Sequence, residues 1–85
     1  MYAVLGKDTV ISEKNIIGIF DLDITSQSYL TREYLNRSEK NGAVINAAED
    51  IPKSFVVCAE NKKEKVYLSQ IAASTLNKRI ENNTI

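Results

Sequence analysis

Few residues in this 85-residue chain could carry bond-making chemistry, and the missing types narrow the field first. There is no His, so a Ser-His-Asp or Cys-His pair, an imidazole base and a His-bearing zinc site are all closed. The one Cys, Cys58, cannot close an intrachain disulfide or a CxxC metal knuckle. It sits in the apolar run Phe55-Val56-Val57-Cys58-Ala59 and reads as a small buried hydrophobe, because nothing beside it would hold a thiolate. Asp21 and Asp23 could hold a divalent cation at a strand end, but a DxDxDG spacing with a distal Glu is absent, so solvated turn carboxylates are the plainer reading. Glu49-Asp50 beside Pro52 likewise reads as a solvated loop, not an acid/base dyad. Gly6, Gly18 and Gly42 are too far apart for a GxGxxG turn or a P-loop. No set of residues amounts to an active site, and the expectation is a protein that is not an enzyme and needs no cofactor or metal.

What remains is charged and apolar surface. The 11 Lys+Arg are balanced by 11 Asp+Glu, so the chain lacks the strong positive charge that points directly to a nucleic-acid partner. Lys14, Lys53, Lys62, Lys63, Lys65 and Lys78-Arg79 could nevertheless converge in space. Each alone reads as a solubilising surface residue. In an oligomer, however, one or two lysines per subunit along a rim would make a multivalent phosphate track whose affinity falls steeply with salt.

The elements that must position these residues can be read along the chain. Tyr2 to Leu5 and Thr9 to Ser12 predict two strands joined at Gly6-Lys7-Asp8. Ile16 to Leu22 is β-branched and unbroken, a third strand. Leu30, Tyr34, Leu35 and Ser38 then recur at helical spacing, with Glu33 and Arg37 paired four apart, Ser26 or Ser28 as cap and Gly42 as stop. A helix from about Ser28 to Asn41 follows. Ala43 to Ala47 predicts a strand and Glu49 to Lys53 a loop around Pro52. Ser54 to Ala59 and Lys65 to Ser69 form a hairpin with the charged tip Glu60 to Glu64. Ile71, Ala72, Thr75, Leu76 and Ile80 give a short last helix capped by Ser69 or Ser74, and residues 81–85 are expected to fray. The result is one α+β domain over residues 1–80, with a small, mostly antiparallel sheet in the order β-β-β-α-β-β-β-α. No basic n-region precedes a long apolar core, and no apolar run approaches the ~20 residues of a bilayer span, so a cytoplasmic location is expected.

One pattern in the strands bears on function. Ile16 to Phe20 and Phe55 to Ala59 are apolar at successive positions and so point side chains to both faces of the sheet. Two short helices cannot cover both faces of a five- or six-stranded sheet. Either the sheet curls onto itself, or another copy packs on the open face. Self-association is the expectation, with Ile17, Ile19, Val56 and Cys58 in the interface.

Several stretches, taken together, resemble a known family: Val10-Ile11-Ser12, Ile16 to Leu22, Glu49-Asp50-Ile51-Pro52-Lys53-Ser54-Phe55-Val56-Val57, Val66-Tyr67-Leu68-Ser69 and Ser74 to Arg79. From Met1 to about Ile80 the chain is similar to the RemB branch of the extracellular matrix regulator family. The resemblance implies a small cytoplasmic protein of spore-forming Gram-positive bacteria with a LytTR-like subunit that closes into rings. The related RemA proteins activate biofilm-matrix genes by binding DNA along the ring's basic outer surface, through arginines before the second strand pair and in a loop before the valine strand. Carried over position by position, the first of these corresponds to Asn15 with Lys14 beside it. The Arg-rich loop corresponds to Ile51-Pro52-Lys53-Ser54, where only Lys53 is charged and Pro52 offers no N–H. Lysine pairs with phosphate as a point charge, without the bidentate fork of arginine.

The expectation is therefore a homo-oligomeric, closed-ring regulator of matrix or biofilm genes that contacts duplex DNA through Lys14, Asn15, Lys53, Lys62 and Lys63. The competing class is an oligomeric scaffold that touches no DNA and binds a protein partner such as a RemA-like regulator.

Overall fold

The computed structural model describes residues 2–6, 8–22 and 28–83. Asp23 and the candidate cap Ser26 lie outside the described residues. The elements are β1 (Tyr2–Val4), β2 (Val10–Ser12), a one-turn 3-10 helix (Glu13–Asn15), β3 (Ile16–Asp21), α1 (Tyr29–Lys40), β4 (Val44–Asn46), β5 (Ser54–Glu60), β6 (Lys63–Ser69) and α2 (Ala73–Asn83). Their order is the one the sequence predicts, with the 3-10 turn added.

The strands do not form one sheet. Four of them lie in the order β3-β5-β6-β4, and β1-β2 is a separate two-stranded ribbon. β3, β5 and β6 are antiparallel neighbours, whereas β4 runs parallel to β6, with Val44 opposite Val66. The detached ribbon explains the unbroken apolar runs. Along β5, Val56 and Cys58 point to one face and pack with Ala3, Leu5 and Ile11 of the ribbon region, Tyr67 of β6 and Leu76 of α2. Phe55 and Val57 point to the other face and pack with Val66, Tyr34 and Leu35, the last two from α1. The chain thus covers both faces of its central strands by itself. Val56 and Cys58, both 0% exposed, are core residues with no surface to offer another chain, and Ile19 is partly buried against the same cluster. Of the four expected interface residues, Ile17 alone is open to solvent.

Local chemistry fixes the element ends. Ser28 stands at the N-cap of α1 in extended conformation, without a side-chain capping bond. At the other end the Ala43 N–H donates to the Ser38 carbonyl (2.9 Å) and the Gly42 N–H to that of Glu39 (3.0 Å). This is the 6→1 and 5→2 pattern of a Schellman stop, with Gly42 at φ +71° as the pattern requires. Neither expected serine caps α2. The Ala72 carbonyl accepts the first helical bonds, from Thr75 and Leu76, and Ser74 lies inside the helix. Ser69, fully buried, instead donates its hydroxyl to the Leu5 carbonyl (2.5 Å) and accepts from the Ile71 N–H (3.1 Å). Ser54 donates to the Ile71 carbonyl (2.7 Å). These bonds join the ribbon, the sheet and the entry to α2 where only buried hydroxyls can reach. α2 continues past Ile80 to Asn83.

The β5–β6 tip is tighter than its four charged residues, Glu60, Lys62, Lys63 and Glu64, suggest. Glu60 pairs with Lys63, leaving a two-residue loop of Asn61 (φ +50°) and Lys62 (φ +67°). Positive φ at both central positions is the type I′ geometry whose twist suits a hairpin. The run of charges hides it in the sequence, because Asn favours that conformation and Lys only tolerates it. Gly6 is fixed by proximity: a Cβ there would collide with the Ala47 carbonyl oxygen, a backbone atom that cannot move aside.

Candidate nucleic-acid interface

The register of the sheet separates the five candidate DNA-contacting residues into two groups. Ile16 lies opposite Cys58, so Lys14 and Asn15, in the 3-10 turn just before it, stand at the end of the sheet where β5 turns into β6. Lys62 is in that turn and Lys63 is the first residue of β6 after it. Lys53 is at the opposite end, its N–H donating to the Ser69 carbonyl (2.8 Å) and its own carbonyl accepting from Leu22 (3.0 Å). The seven residues of β5 set the two ends about 20 Å apart at roughly 3.3 Å per residue. One subunit therefore gathers Lys14, Asn15, Lys62 and Lys63 and leaves Lys53 aside.

Two of the nearby carboxylates are engaged elsewhere, whereas Glu13, in the same 3-10 turn as Lys14, keeps a buried Oε1 with no hydrogen-bond partner among the described residues. Glu60 pairs with Lys65 at 3.6 Å, and Glu64 accepts a hydrogen bond from the Tyr34 hydroxyl at 2.7 Å. Burial, reinforced by that bond to Glu64, pushes the Tyr34 phenol up to about 12, so it stays a donor throughout the physiological range. Among the described residues Lys14, Lys62 and Lys63 have no ion-pair partner, and all three are exposed. Asn15 is half-buried. Their ammonium groups are free to meet an anion.

Two apolar surfaces lie on opposite layers of the molecule. A groove of ≈ 290 Å³ runs between β3 and α1, lined by Ile17, Phe20, Leu30, Thr31, Tyr34, Phe55 and Val57. It exists because β3 bulges: the register shifts between Ile16 and Gly18, which turns Ile17 outward on the same side as Phe20. Ile17 is 64% exposed and Leu30 74%, while the Phe20 ring stacks on Phe55 at 5.0 Å. The second surface is the outer side of the ribbon, where Val4 and Val10 are cross-strand partners with Tyr2 beside them, all exposed. Phe20, Leu30 and these three ribbon residues were not singled out by sequence reasoning. Alternation in Tyr2-Ala3-Val4 carries no signal when both sides of the strand are apolar, and a bulge has no signature in a run of β-branched residues.

Cys58 belongs to the core and not to any site. Burial, with the nearby Glu60 carboxylate, pushes its thiol up to about 11 from the ordinary 9.0. Because the folded state favours the neutral thiol, its contribution to stability is complete below about pH 9 and is lost as pH rises toward 11. A disulfide reagent at pH 8 is expected to modify Cys58 only at the rate of unfolding. Rapid stoichiometric labelling of native protein would contradict the core assignment.

The exposed surface presents lysines at one end of the sheet and two apolar strips, and, among the described residues, no cluster of His, Cys, Asp or Glu is able to hold a metal. No helix is long and apolar enough to cross a membrane, again among the described residues. Residues 4–80 match the model of the RemA-like family, described as extracellular matrix regulatory protein A-like, and the chain belongs to this family. It is 36% identical over 81 residues to extracellular matrix regulatory protein B of Bacillus subtilis (strain 168), spanning 95% of this chain and 91% of that protein. The resemblance to the RemB branch holds along nearly the whole chain.

Proposed function

We propose that this chain is the subunit of a head-to-tail ring that regulates extracellular-matrix genes from the cytoplasm by binding the phosphate backbone of duplex DNA. The ring reading is supported by two apolar surfaces that do not overlap and lie on opposite layers. Contact between unlike patches generates a closed ring or a filament, whereas an isologous dimer needs only one patch. The DNA reading is carried by the grouping of Lys14, Asn15, Lys62 and Lys63 at one end of the sheet, with the adjacent Glu60 and Glu64 already engaged. Lys53, at the other end, would add to the track through repetition around the ring. Such contacts position the protein without reading bases, so preference among sequences would come from DNA shape and site spacing.

A mobility-shift titration at two salt concentrations tests this. Wild type should shift duplex DNA at ~50 mM salt, and Lys14→Ala/Lys62→Ala should bind more weakly with a log–log salt slope smaller by about 1.8 for each subunit in contact with the DNA, at roughly 0.9 for each phosphate no longer neutralised. The absence of any shift at ~50 mM would overturn DNA binding. The second reading, an oligomeric scaffold for a protein partner such as a RemA-like regulator, is favoured by the zero net charge and by the distance of Lys53 from the other lysines.

A further inference from the structure

We infer that the outer face of α1 is a second phosphate-contacting surface, separate from the lysines of the β5–β6 tip, against which duplex DNA is held. This rests on the DNA reading above but uses none of its residues.

Among the described residues, α1 has no partner on its outer side. Tyr29, Arg32, Glu33, Asn36, Arg37 and Lys40 line an open groove of ≈ 590 Å³ there, while Tyr34, Leu35 and Ser38 face the sheet. Three of the six are cations and one is an anion. Glu33 is paired with Arg37 at 3.3 Å, but with side chains 69% and 45% exposed (Arg37 and Glu33) this i,i+4 pair is worth only a few tenths of a kcal/mol. A phosphate, which an Arg can grip with two parallel bonds, would displace it. Arg32 and Lys40 have no ion-pair partner among the described residues. Asn36 adds amide donors, and Tyr29, 70% exposed, offers a ring and a hydroxyl beside the backbone.

Ordinary helix chemistry accounts for part of this pattern only. Arg37 and Lys40 lie in the last turn, where cations offset the helix dipole. Arg32 lies nearer the N-terminus, where a cation gains nothing from that dipole. Eight residues separate Arg32 from Lys40, about 12 Å along the axis at 1.5 Å per residue, close to the ~12 Å width of the B-DNA major groove. Glu39 stands on the flank of the face.

The experiment is a salt titration of duplex DNA binding by fluorescence anisotropy, comparing wild type, Arg32→Ala/Lys40→Ala and Lys14→Ala/Lys62→Ala. Ala is at least as good a helix former as Arg or Lys and both sites are exposed, so the α1 variant should melt like wild type by circular dichroism. Removing two phosphate-binding cations should reduce its salt slope by about 1.8 for each subunit in contact with the DNA and weaken binding at least roughly 60-fold at ~0.1 M salt. An unchanged slope in the α1 variant, with a reduced one in the tip variant, would overturn this inference and leave the proposed function standing. No binding by wild type at ~50 mM salt would overturn both.

Discussion

A variant carrying Ile17→Glu and another carrying Val4→Glu/Val10→Lys are each expected to sediment as monomers, and their equimolar mixture as a 1:1 dimer that grows no further. In a head-to-tail assembly each subunit uses the β3–α1 groove on one side and the ribbon on the other. The first variant keeps a working ribbon and the second a working groove, so the two can join once and then stop. Placing one unpaired charge in a closed apolar contact costs several kcal/mol, enough to dissolve a standard interface at micromolar concentration. Folding should survive, because Ile17 is 64% exposed and Val4 and Val10 are 50% and 55% exposed. The opposite charges introduced at the Val4–Val10 pair face each other across the ribbon and preserve its cross-strand attraction. Analytical ultracentrifugation reads the outcome. Continued assembly of the ribbon variant alone would mean that the groove pairs with itself, and a mixture that stayed monomeric would remove the ribbon from the interface.

Leu76→Ala should be the most damaging single truncation in α2. Leu76 is 1% exposed and packs in the cluster that joins the ribbon, the sheet and α2. Leu→Ala at such a site costs about 2–5 kcal/mol through lost transfer energy and the cavity left behind. A domain of this length has only about 4–13 kcal/mol to lose at 0.05–0.15 kcal/mol per residue. Denaturant unfolding should show a midpoint lowered by at least about 15% of its value. A loss below about 1 kcal/mol would show that α2 is not docked on the core as described.

The order of elements was legible in the sequence because each is marked locally: Gly42 and the 3.6 spacing define α1, Pro52 interrupts before β5, and the apolar runs define β3 and β5. Partition between sheets was not. Nothing in Tyr2 to Ser12 distinguishes a fifth and sixth strand of one sheet from a ribbon folded over its face, since both bury Ala3, Leu5 and Ile11. That ambiguity sent Val56 and Cys58 to an interface in the sequence reading, when the chain's own ribbon covers them. The lysine set divided for a related reason. Lys53 and Lys62 flank the same strand, and a strand carries its two ends apart, whereas proximity in sequence suggests convergence.

The buried bond from Ser69 to the Leu5 carbonyl spans 64 positions of the chain, and the cluster beneath it draws on β1, β2, β5, β6 and α2 together. Contacts of such long sequence separation must close large loops before they repay the ordering, which slows folding relative to a helical protein of equal length. During synthesis most of what the amino-terminal ribbon packs against, on β5, β6 and α2, therefore emerges only with roughly the last third of the polypeptide. Its apolar side chains wait exposed, and the domain forms in one late cooperative event instead of growing from its beginning.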